Sequence, residues 1–162
     1  MSRTMQLGKK LGVSALAVLG IAAGSGAMSA ARAAEADDVA AASEGFYQAL
    51  AVIDDGTAMG AVWAHAPYVT FIGPRSEVPI VGWEAQKQYW TKANTMFRKR
   101  AVALSDRHVH VEGALAWEVG VESADVELKD GTARHTAHLV TNVYEKTDGR
   151  WLMVSHHAQP RP

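Results

Sequence analysis

The stretch TNVYEKTDGRWLMVSHHAQP, Thr141 to Pro160, carries the strongest fold signal in the sequence. Two runs rich in β-branched and aromatic residues flank Asp148-Gly149, and Asp-Gly between two such runs indicates a β-hairpin. A similar turn, Lys-Asp-Gly, ends at Gly131 and separates two earlier runs of the same character. The pattern therefore predicts four long antiparallel strands between residues 101 and 160.

Helical spacing precedes these strands. Val39 and Phe46 belong to an apolar series that recurs at helical intervals, and Gly56 ends it. Thr57 can cap a short second helix, and a third is expected from about Trp83. Helices followed by an antiparallel meander predict an α+β fold with the helices packed on one face of a curled sheet.

The first 33 residues have the features of a secretory signal peptide. A positively charged start precedes the uncharged apolar run Leu11–Gly24, and small residues around Ala33 suit cleavage. The apolar run is shorter than the about 20 residues that a membrane-spanning helix needs. We therefore expect residues 1–33 to be removed on export, which leaves residues 34–162 as a single periplasmic or secreted domain. The alternative is an uncleaved membrane anchor.

Charge and cysteine content exclude some classes of function. The formal net charge of −1 becomes about −5 when the four basic residues of the signal peptide are lost. An acidic domain is a poor nucleic-acid binder, because phosphate neutralisation needs clustered Lys and Arg. The chain has no cysteine, which excludes disulfides and a thiol nucleophile.

The two Asp-Gly turns determine which side chains share a face of the sheet, since partners on neighbouring strands lie on the same face. If each turn has a three-residue loop that ends in a left-handed glycine, Leu128 pairs with Thr132 and Lys146 with Arg150. A two-residue type I′ loop would shift each pairing by one residue. The loop length thus decides whether His156 or His157 faces the same side as His138.

The three-residue register gathers a polar cluster on one face: Glu118, Glu122, His138, Asn142 and His156. The other face is mainly apolar: Trp117, Val119, Val121, Leu139, Val143, Trp151, Met153 and His157. Glu122 lies opposite His138, with His156 diagonal to it. A carboxylate beside an imidazole orients the ring and raises its pKa, which suits acid–base chemistry near neutral pH. Alternatively, the polar face is the solvated side and the Trp-rich face forms the core.

The same segments resemble a known family. The quoted stretch, RHVHVEGALAWEV (residues 107–119) and FIGPRSEVPIVGWEAQKQYW (residues 71–90) are similar to the SnoaL-like group of the nuclear transport factor 2-like superfamily. The resemblance covers nearly all of residues 36–160. It implies a cone like that of ketosteroid isomerases, in which three helices pack in the concave face of a strongly bent, mostly antiparallel sheet. It also implies a pocket at the open end and a homodimer through the convex face.

The resemblance and the polar cluster together predict a site for a small apolar organic ligand. His156 and His138 are the acid–base candidates, and Glu122 orients them. The ligand-binding candidates are the polar and aromatic residues expected to line the cone: Asn142, Glu118, Trp63, Trp90 and Tyr47. The expected chemistry is proton transfer of isomerase, cyclase or dehydratase type, without a cofactor. The alternative is a non-catalytic ligand-binding or dimerisation module of the same fold.

The number of histidines raises the alternative of a metal site. His108 and His110 point to one side of a strand, but His135 and His138 are three residues apart and point to opposite faces. Zinc needs three or four convergent ligands. No metal is therefore expected.

Overall fold

The fold is described from a computed structural model, in which residues 22–161 are placed. Three helices and six strands follow one another as α1 (Ala22–Ala51), α2 (Thr57–Gly60), β1 (Thr70–Ile72), β2 (Ile80–Val81), α3 (Trp83–Asn94), β3 (Phe97–Glu112), β4 (Leu115–Leu128), β5 (Ala133–Thr147) and β6 (Arg150–Pro160). The predicted order of helices first and a long meander afterwards is confirmed.

The six strands form one sheet in the order β2-β1-β6-β5-β4-β3. Strand β1 runs parallel to β6, and all other neighbours are antiparallel. The sheet is strongly curved and not closed, and helix α1 packs across β3 and β6. The predicted α+β cone is therefore confirmed.

The helices bury most of the residues that their apolar spacing indicated, but Ile53, which follows the end of α1, and Tyr89 of α3 are exposed. Val39 and Phe46 of α1 are fully buried, and Trp83 and Trp90 of α3 are nearly so.

The start of α2 differs from the prediction, because Thr57 does not cap it. Instead, the Asp54 carboxylate accepts hydrogen bonds from the backbone N–H groups of Gly56 and Ala58.

The β4–β5 hairpin has the predicted register. The backbone N–H of Leu128 donates to the carbonyl of Thr132, and Glu122 pairs with His138. The three-residue loop at this turn therefore places Glu122 and His138 side by side on one face.

The β5–β6 hairpin does not have the predicted loop. Thr147 pairs with Arg150 across a two-residue turn in which Asp148 and Gly149 both have positive φ, as a type I′ turn requires. A β-bulge then follows, because Tyr144 pairs with Met153 whereas Val143 pairs with Ser155. The extra residue, Val154, shifts the register by one more position.

Because of the bulge, His156 lies on the predicted face of the sheet, although its strand pairing differs from the predicted one. His156 pairs with Asn142, whereas His138 pairs with Pro160, so the predicted diagonal neighbourhood of the two histidines is wrong. His156 is buried and His157 is exposed. Met153, which precedes the bulge, and Val154, the bulged residue, are both buried.

The two-residue loop also changes the composition of the predicted apolar face. Trp151 and Met153 precede the bulge and are buried on the concave side, with Tyr144. Trp117 and Leu139 lie on the convex side and are each 40 % exposed. The core is thus on the same side as the polar cluster, and the alternative of a solvated polar face is wrong.

Helix α1 begins further upstream than expected, at Ala22 rather than near Glu35. Residues 28–34 are exposed, and the signal-peptide prediction falls largely on residues 1–21, outside the described part of the chain. An exposed ion pair joins Arg32 of α1 to Glu112 of β3 at 3.6 Å. Less exposed contacts with the sheet begin at Glu35, which accepts hydrogen bonds from Lys146 Nζ at 2.6 Å and from Trp151 Nε1 at 3.0 Å. Within residues 22–161 no helix is long and apolar enough to cross a membrane.

Candidate functional site

The polar side chains predicted to share a face lie together inside the cone. All five are buried between the sheet and the helices: Glu118, Glu122, His138, Asn142 and His156. Polar groups that are shielded from water need hydrogen-bond partners, so the contacts of each one define what it can do.

Glu118 is the centre of the cluster and is fully buried. Its Oε1 atom accepts hydrogen bonds from Ser43 Oγ at 2.6 Å, Asn142 Nδ2 at 2.7 Å and the Tyr144 hydroxyl at 2.7 Å. Its Oε2 atom lies 3.2 Å from Arg107 Nε, an ion pair that lacks the alignment of a hydrogen bond. A buried carboxylate with this many partners is a fixed structural anion.

Arg107 reaches the interior because β3 has a bulge. Its pairing with β4 shifts between Ser105 and His108, and Asp106 adopts a left-handed conformation with φ of 51°. Arg107 also donates to Glu44 Oε1 at 2.7 Å. Sequence reasoning missed Arg107, although the alternation of apolar residues carries the signal.

That signal is a change of phase. Val102 and Leu104 are the inward apolar residues before the bulge, and Val109 and Val111 are those after it. The inward positions thus change from even to odd numbers, as one inserted residue requires.

Gly120 on β4 makes room for the β3 bulge. A Cβ atom on this residue would lie 2.8 Å from Leu104 Cδ1 and 2.8 Å from the carbonyl oxygen of Ser105. Only glycine permits this approach of the two backbones.

Asn142 connects Glu118 to His156. Besides its bond to Glu118, Nδ2 donates to the Tyr47 hydroxyl at 3.2 Å, and Oδ1 lies 2.7 Å from His156 Nδ1. The imidazole of His156 stacks on the ring of Phe71, with centroids 5.3 Å apart, and lies 5.3 Å from the ring of Phe46.

The environment of His156 keeps it uncharged. Burial lowers the pKa of His156 to about 3, with smaller contributions from the nearby His157 and His138. The direction is opposite to the one expected from the sequence, because the ring has no carboxylate neighbour and its hydrogen-bond partner is an amide. His156 is therefore neutral at physiological pH.

Glu122 and His138 form a loose pair rather than an ion pair. His138 Nδ1 lies 3.4 Å from Glu122 Oε1, beyond the usual range for such a hydrogen bond. Burial raises the pKa of Glu122 to about 7, and the charge of Arg100 opposes this only in part. Burial and the charge of Arg75 lower the pKa of His138, contrary to the sequence-based expectation. Oε2 of Glu122 has no hydrogen-bond partner among the described residues.

The aromatic candidates line the same interior. Trp63, Trp90 and Tyr47 are each at most 3 % exposed. In residues 22–161 the indole N–H groups of Trp63 and Trp90 lack hydrogen-bond partners, and so do both amide atoms of the fully buried Gln86. Burial raises the pKa of Tyr47, with a further contribution from the charge of Glu122, so its hydroxyl stays protonated. Aromatic walls with a few unpaired polar groups are typical of a small-molecule site.

Arg100 and Gln86 are further residues that sequence reasoning missed. Arg100 donates to Asn94 Oδ1 at 2.8 Å and lines a groove of about 830 Å³ between the end of α1 and the ends of β3, β4 and β5. Burial lowers the pKa of Arg100 to about 10, so its guanidinium keeps its charge at neutral pH. Arg100 lies in phase with Val102 and Leu104, so the alternation along β3 carries the signal that it faces inward.

Besides His65 and His157, which are exposed, three further histidines lie away from the interior. His110 stacks on Trp117 on the convex side, with ring centroids 4.2 Å apart, and its neighbour His108 is also exposed. His135 pairs with Asp125 at 2.7 Å on the surface. The convex side carries an apolar patch, the convex patch, formed by Trp117, Val119 and Leu139, next to a depression of about 380 Å³.

A helix-filled, strongly bent open sheet with a polar cluster in its concavity defines a cone-fold protein of the nuclear transport factor 2-like superfamily. Residues 39–159 match the SnoaL-like domain family, which is well over half of the chain. The protein therefore belongs to the SnoaL-like domain family, as its sequence suggested.

Solved structures have the same fold. A proposed dehydratase of the nuclear transport factor 2-like family from Streptomyces avermitilis is 22% identical, with a TM-score of 0.71 over 80% of this chain and 98% of that chain. A superfamily protein from Salmonella enterica is 19% identical, with a TM-score of 0.70 over 83% and 94%. A proposed calcium/calmodulin-dependent protein kinase II association domain from Xanthomonas campestris is 26% identical, with a TM-score of 0.66 over 76% and 86%. A search of the curated proteins found no match.

Proposed function

We propose that the protein binds a small apolar organic molecule in its cone and catalyses proton transfer on it, with Glu122 as the group that takes up and returns the proton. The observation that carries this proposal is the environment of Glu122. Its carboxyl is buried, its pKa is raised to about 7, and one of its oxygens has no partner among residues 22–161. A carboxyl with such a pKa can act as base and then as acid near neutral pH.

The neighbouring residues have supporting roles. When Glu122 removes a proton from a carbon beside a carbonyl group, the C–H electron pair forms a C=C bond and the carbonyl oxygen gains the negative charge. The Tyr47 hydroxyl, which is kept protonated by burial, can donate to that oxygen. Return of the proton to another carbon completes an isomerisation. His138, whose Nδ1 lies 3.4 Å from Oε1 of Glu122, adds a weak polar contact to the carboxyl.

This assignment changes the roles expected from the sequence. His156 and His138 were the acid–base candidates and Glu122 the orienting group. The lowered pKa values of both histidines and the raised pKa of Glu122 favour the reverse. The proposed dehydratase from Streptomyces avermitilis supports the same class of chemistry by its name only, because a 22% identity shows the fold alone.

Deuterium exchange tests the proposed activity without knowledge of the natural substrate. The protein is incubated with 2-tetralone in D2O, and incorporation of deuterium next to the carbonyl is followed by NMR. We expect exchange above the buffer rate, and a loss of about a hundredfold or more in Glu122→Gln. Glu84→Gln, which changes an exposed carboxyl of α3, is the matched control. Equal exchange in Glu122→Gln and the wild type would refute the role of Glu122.

A second function, a non-catalytic module that forms a homodimer through the convex patch, is favoured by a different observation. Trp117, Val119 and Leu139 expose about two fifths of their surface on one side of the sheet. The association domain from Xanthomonas campestris, at 26% identity, is more similar in sequence to this chain than the proteins from Streptomyces avermitilis and Salmonella enterica. If the interior has no catalytic role, replacing His138 and His156 by alanine will lower stability but leave assembly unchanged.

We also propose that the protein is exported to the periplasm or secreted, after removal of residues 1–33. Residues 28–34 are exposed, and Glu35 makes contacts with the sheet two residues beyond the expected cleavage site. The intact mass of protein recovered from the periplasm or medium tests this, and it should correspond to a chain that begins at Ala34. A full-length chain retained in the membrane fraction would support the anchor alternative.

A further inference from the structure

The buried side-chain amide of Asn142 forms hydrogen bonds with a carboxylate at one end and with an imidazole at the other. Its Nδ2 lies 2.7 Å from an oxygen of the Glu118 carboxylate, and its Oδ1 lies 2.7 Å from Nδ1 of His156. A carboxylate only accepts hydrogen bonds, so the NH2 end of the amide must face Glu118. The carbonyl end is then the one that faces His156.

This orientation determines where His156 carries its proton. Because Oδ1 of Asn142 can only accept, Nδ1 of His156 must be the protonated nitrogen. A neutral imidazole has a single N–H, so Nε2 holds the lone pair. No described residue donates a hydrogen bond to Nε2.

The carboxylate of Glu118, at the start of this series of hydrogen bonds, is held by Arg107. The guanidinium lies 3.2 Å from Glu118 Oε2, and three donors bind the other oxygen. With three donors bound to it, Oε1 faces Asn142 as an acceptor, while the guanidinium of Arg107 lies beside the other oxygen.

We propose that Arg107, Glu118 and Asn142 are positioning residues that fix His156 as the Nδ1–H tautomer, so that Nε2 accepts a hydrogen bond from the hydroxyl group of an aromatic ligand. The ligand part rests on the proposed function, since it needs a molecule inside the cone. The tautomer part does not.

Two observations select a hydroxyl group on an aromatic ring. Tyr47 accepts a hydrogen bond from the Asn142 amide, which leaves its own O–H free to donate. A ligand hydroxyl can accept from Tyr47 and donate to His156, whereas a carbonyl can only accept and an ammonium can only donate. The flanking rings of Phe46 and Phe71 supply an aromatic wall.

Nitrogen NMR of the imidazole tests the tautomer directly. In the 15N-labelled wild type we expect a protonated Nδ1 and an unprotonated Nε2 for His156. In Asn142→Ala and in Glu118→Gln the signals should move towards the Nε2–H tautomer. His157→Gln, which changes the exposed neighbour, is the matched control and should leave the His156 signals in place. A protonated Nε2 in the wild type, or unchanged signals in Asn142→Ala, would overturn the proposal.

Phenol and anisole test the hydroxyl preference, because anisole lacks the donor. Their dissociation constants are measured by NMR titration in the wild type and in His156→Phe, with circular dichroism to verify folding. The preference for phenol over anisole should be about fivefold greater in the wild type, which corresponds to one neutral hydrogen bond. Equal preferences, or no binding of phenol, would overturn the acceptor role. Phenol binding without deuterium exchange would instead refute only the proposed catalysis.

Discussion

Nε of Arg107 lies 3.2 Å from Oε2 of Glu118, and the two residues meet only because β3 bulges at Asp106. Glu118 is fully buried, and the Arg107 side chain retains about a fifth of its exposure. The pair therefore places the positive charge of the partly exposed Arg107 beside the carboxylate of Glu118 in the interior of the cone.

Replacing Arg107 by methionine should leave a buried, uncompensated carboxylate. We expect the free energy of unfolding to fall by about 3 kcal/mol, at the lower end of the range for a broken buried ion pair, because Arg107 is partly exposed. Urea denaturation of the single variant measures this loss.

A double-mutant cycle supplies the control for Arg107→Met. The variant with both Arg107→Met and Glu118→Gln has no buried charge, so it should be less destabilised than the sum of the two single variants. Additive losses would show that the two side chains do not interact.

The stability contributed by Glu122 should depend on pH. Its pKa is about 7 in the folded chain and 4.5 when unperturbed, so folding favours the protonated carboxyl. This contribution is complete below pH 4.5 and is lost as the pH rises through 7. Glu122→Gln should therefore gain stability relative to the wild type between pH 4 and pH 8, by on the order of 3 kcal/mol.

Thermal or urea unfolding of both chains across this pH range measures the effect of Glu122→Gln. The difference between the two chains isolates Glu122, because His138 titrates in both. A difference that is constant from pH 4 to pH 8 would contradict a raised pKa.

Gly120→Ala should destabilise the sheet and disturb the site. The added methyl group would meet a backbone oxygen and the partly buried side chain of Leu104 at 2.8 Å, and we expect a loss of about 1–3 kcal/mol. Gly45→Ala is a suitable control, because a Cβ there meets only Val62 at 3.7 Å and Gly45 lies within α1. This control should be neutral or stabilising by about 0.5–1 kcal/mol.

Leu139→Lys should prevent the proposed homodimer, since it places a charge in the convex patch. Sedimentation or light scattering should show a dimer in the wild type and a monomer in the variant. Val81→Lys, at a more exposed apolar residue of β2, should remain dimeric. A Leu139→Lys protein of unchanged mass would exclude the convex patch as the interface.

Much of the fold could be read from local patterns. The helical spacing of Val39 and Phe46 and the two Asp-Gly turns predicted the order of elements and the polar cluster, because each depends on neighbours in the chain. The three-residue loop after Leu128 gave the correct pairing of Glu122 with His138.

The second hairpin shows where local pattern fails. The type I′ loop at Asp148 would by itself have turned His156 outwards, and the bulge at Val154 reversed this. Two errors of one residue cancelled, so His156 was assigned to the right face with the wrong neighbours. Whether a strand forms a bulge depends on how its whole length packs against the helices, and a turn motif carries no information about that packing.

The sequence by itself determined the class of fold, the family resemblance and the residues that line one face of the sheet. Only the tertiary structure decided their chemistry, because a pKa depends on burial and on charges from distant segments. The sequence put Glu122 beside His138, which favoured a charged imidazole. Burial made the carboxyl, rather than either histidine, the group that titrates near neutral pH.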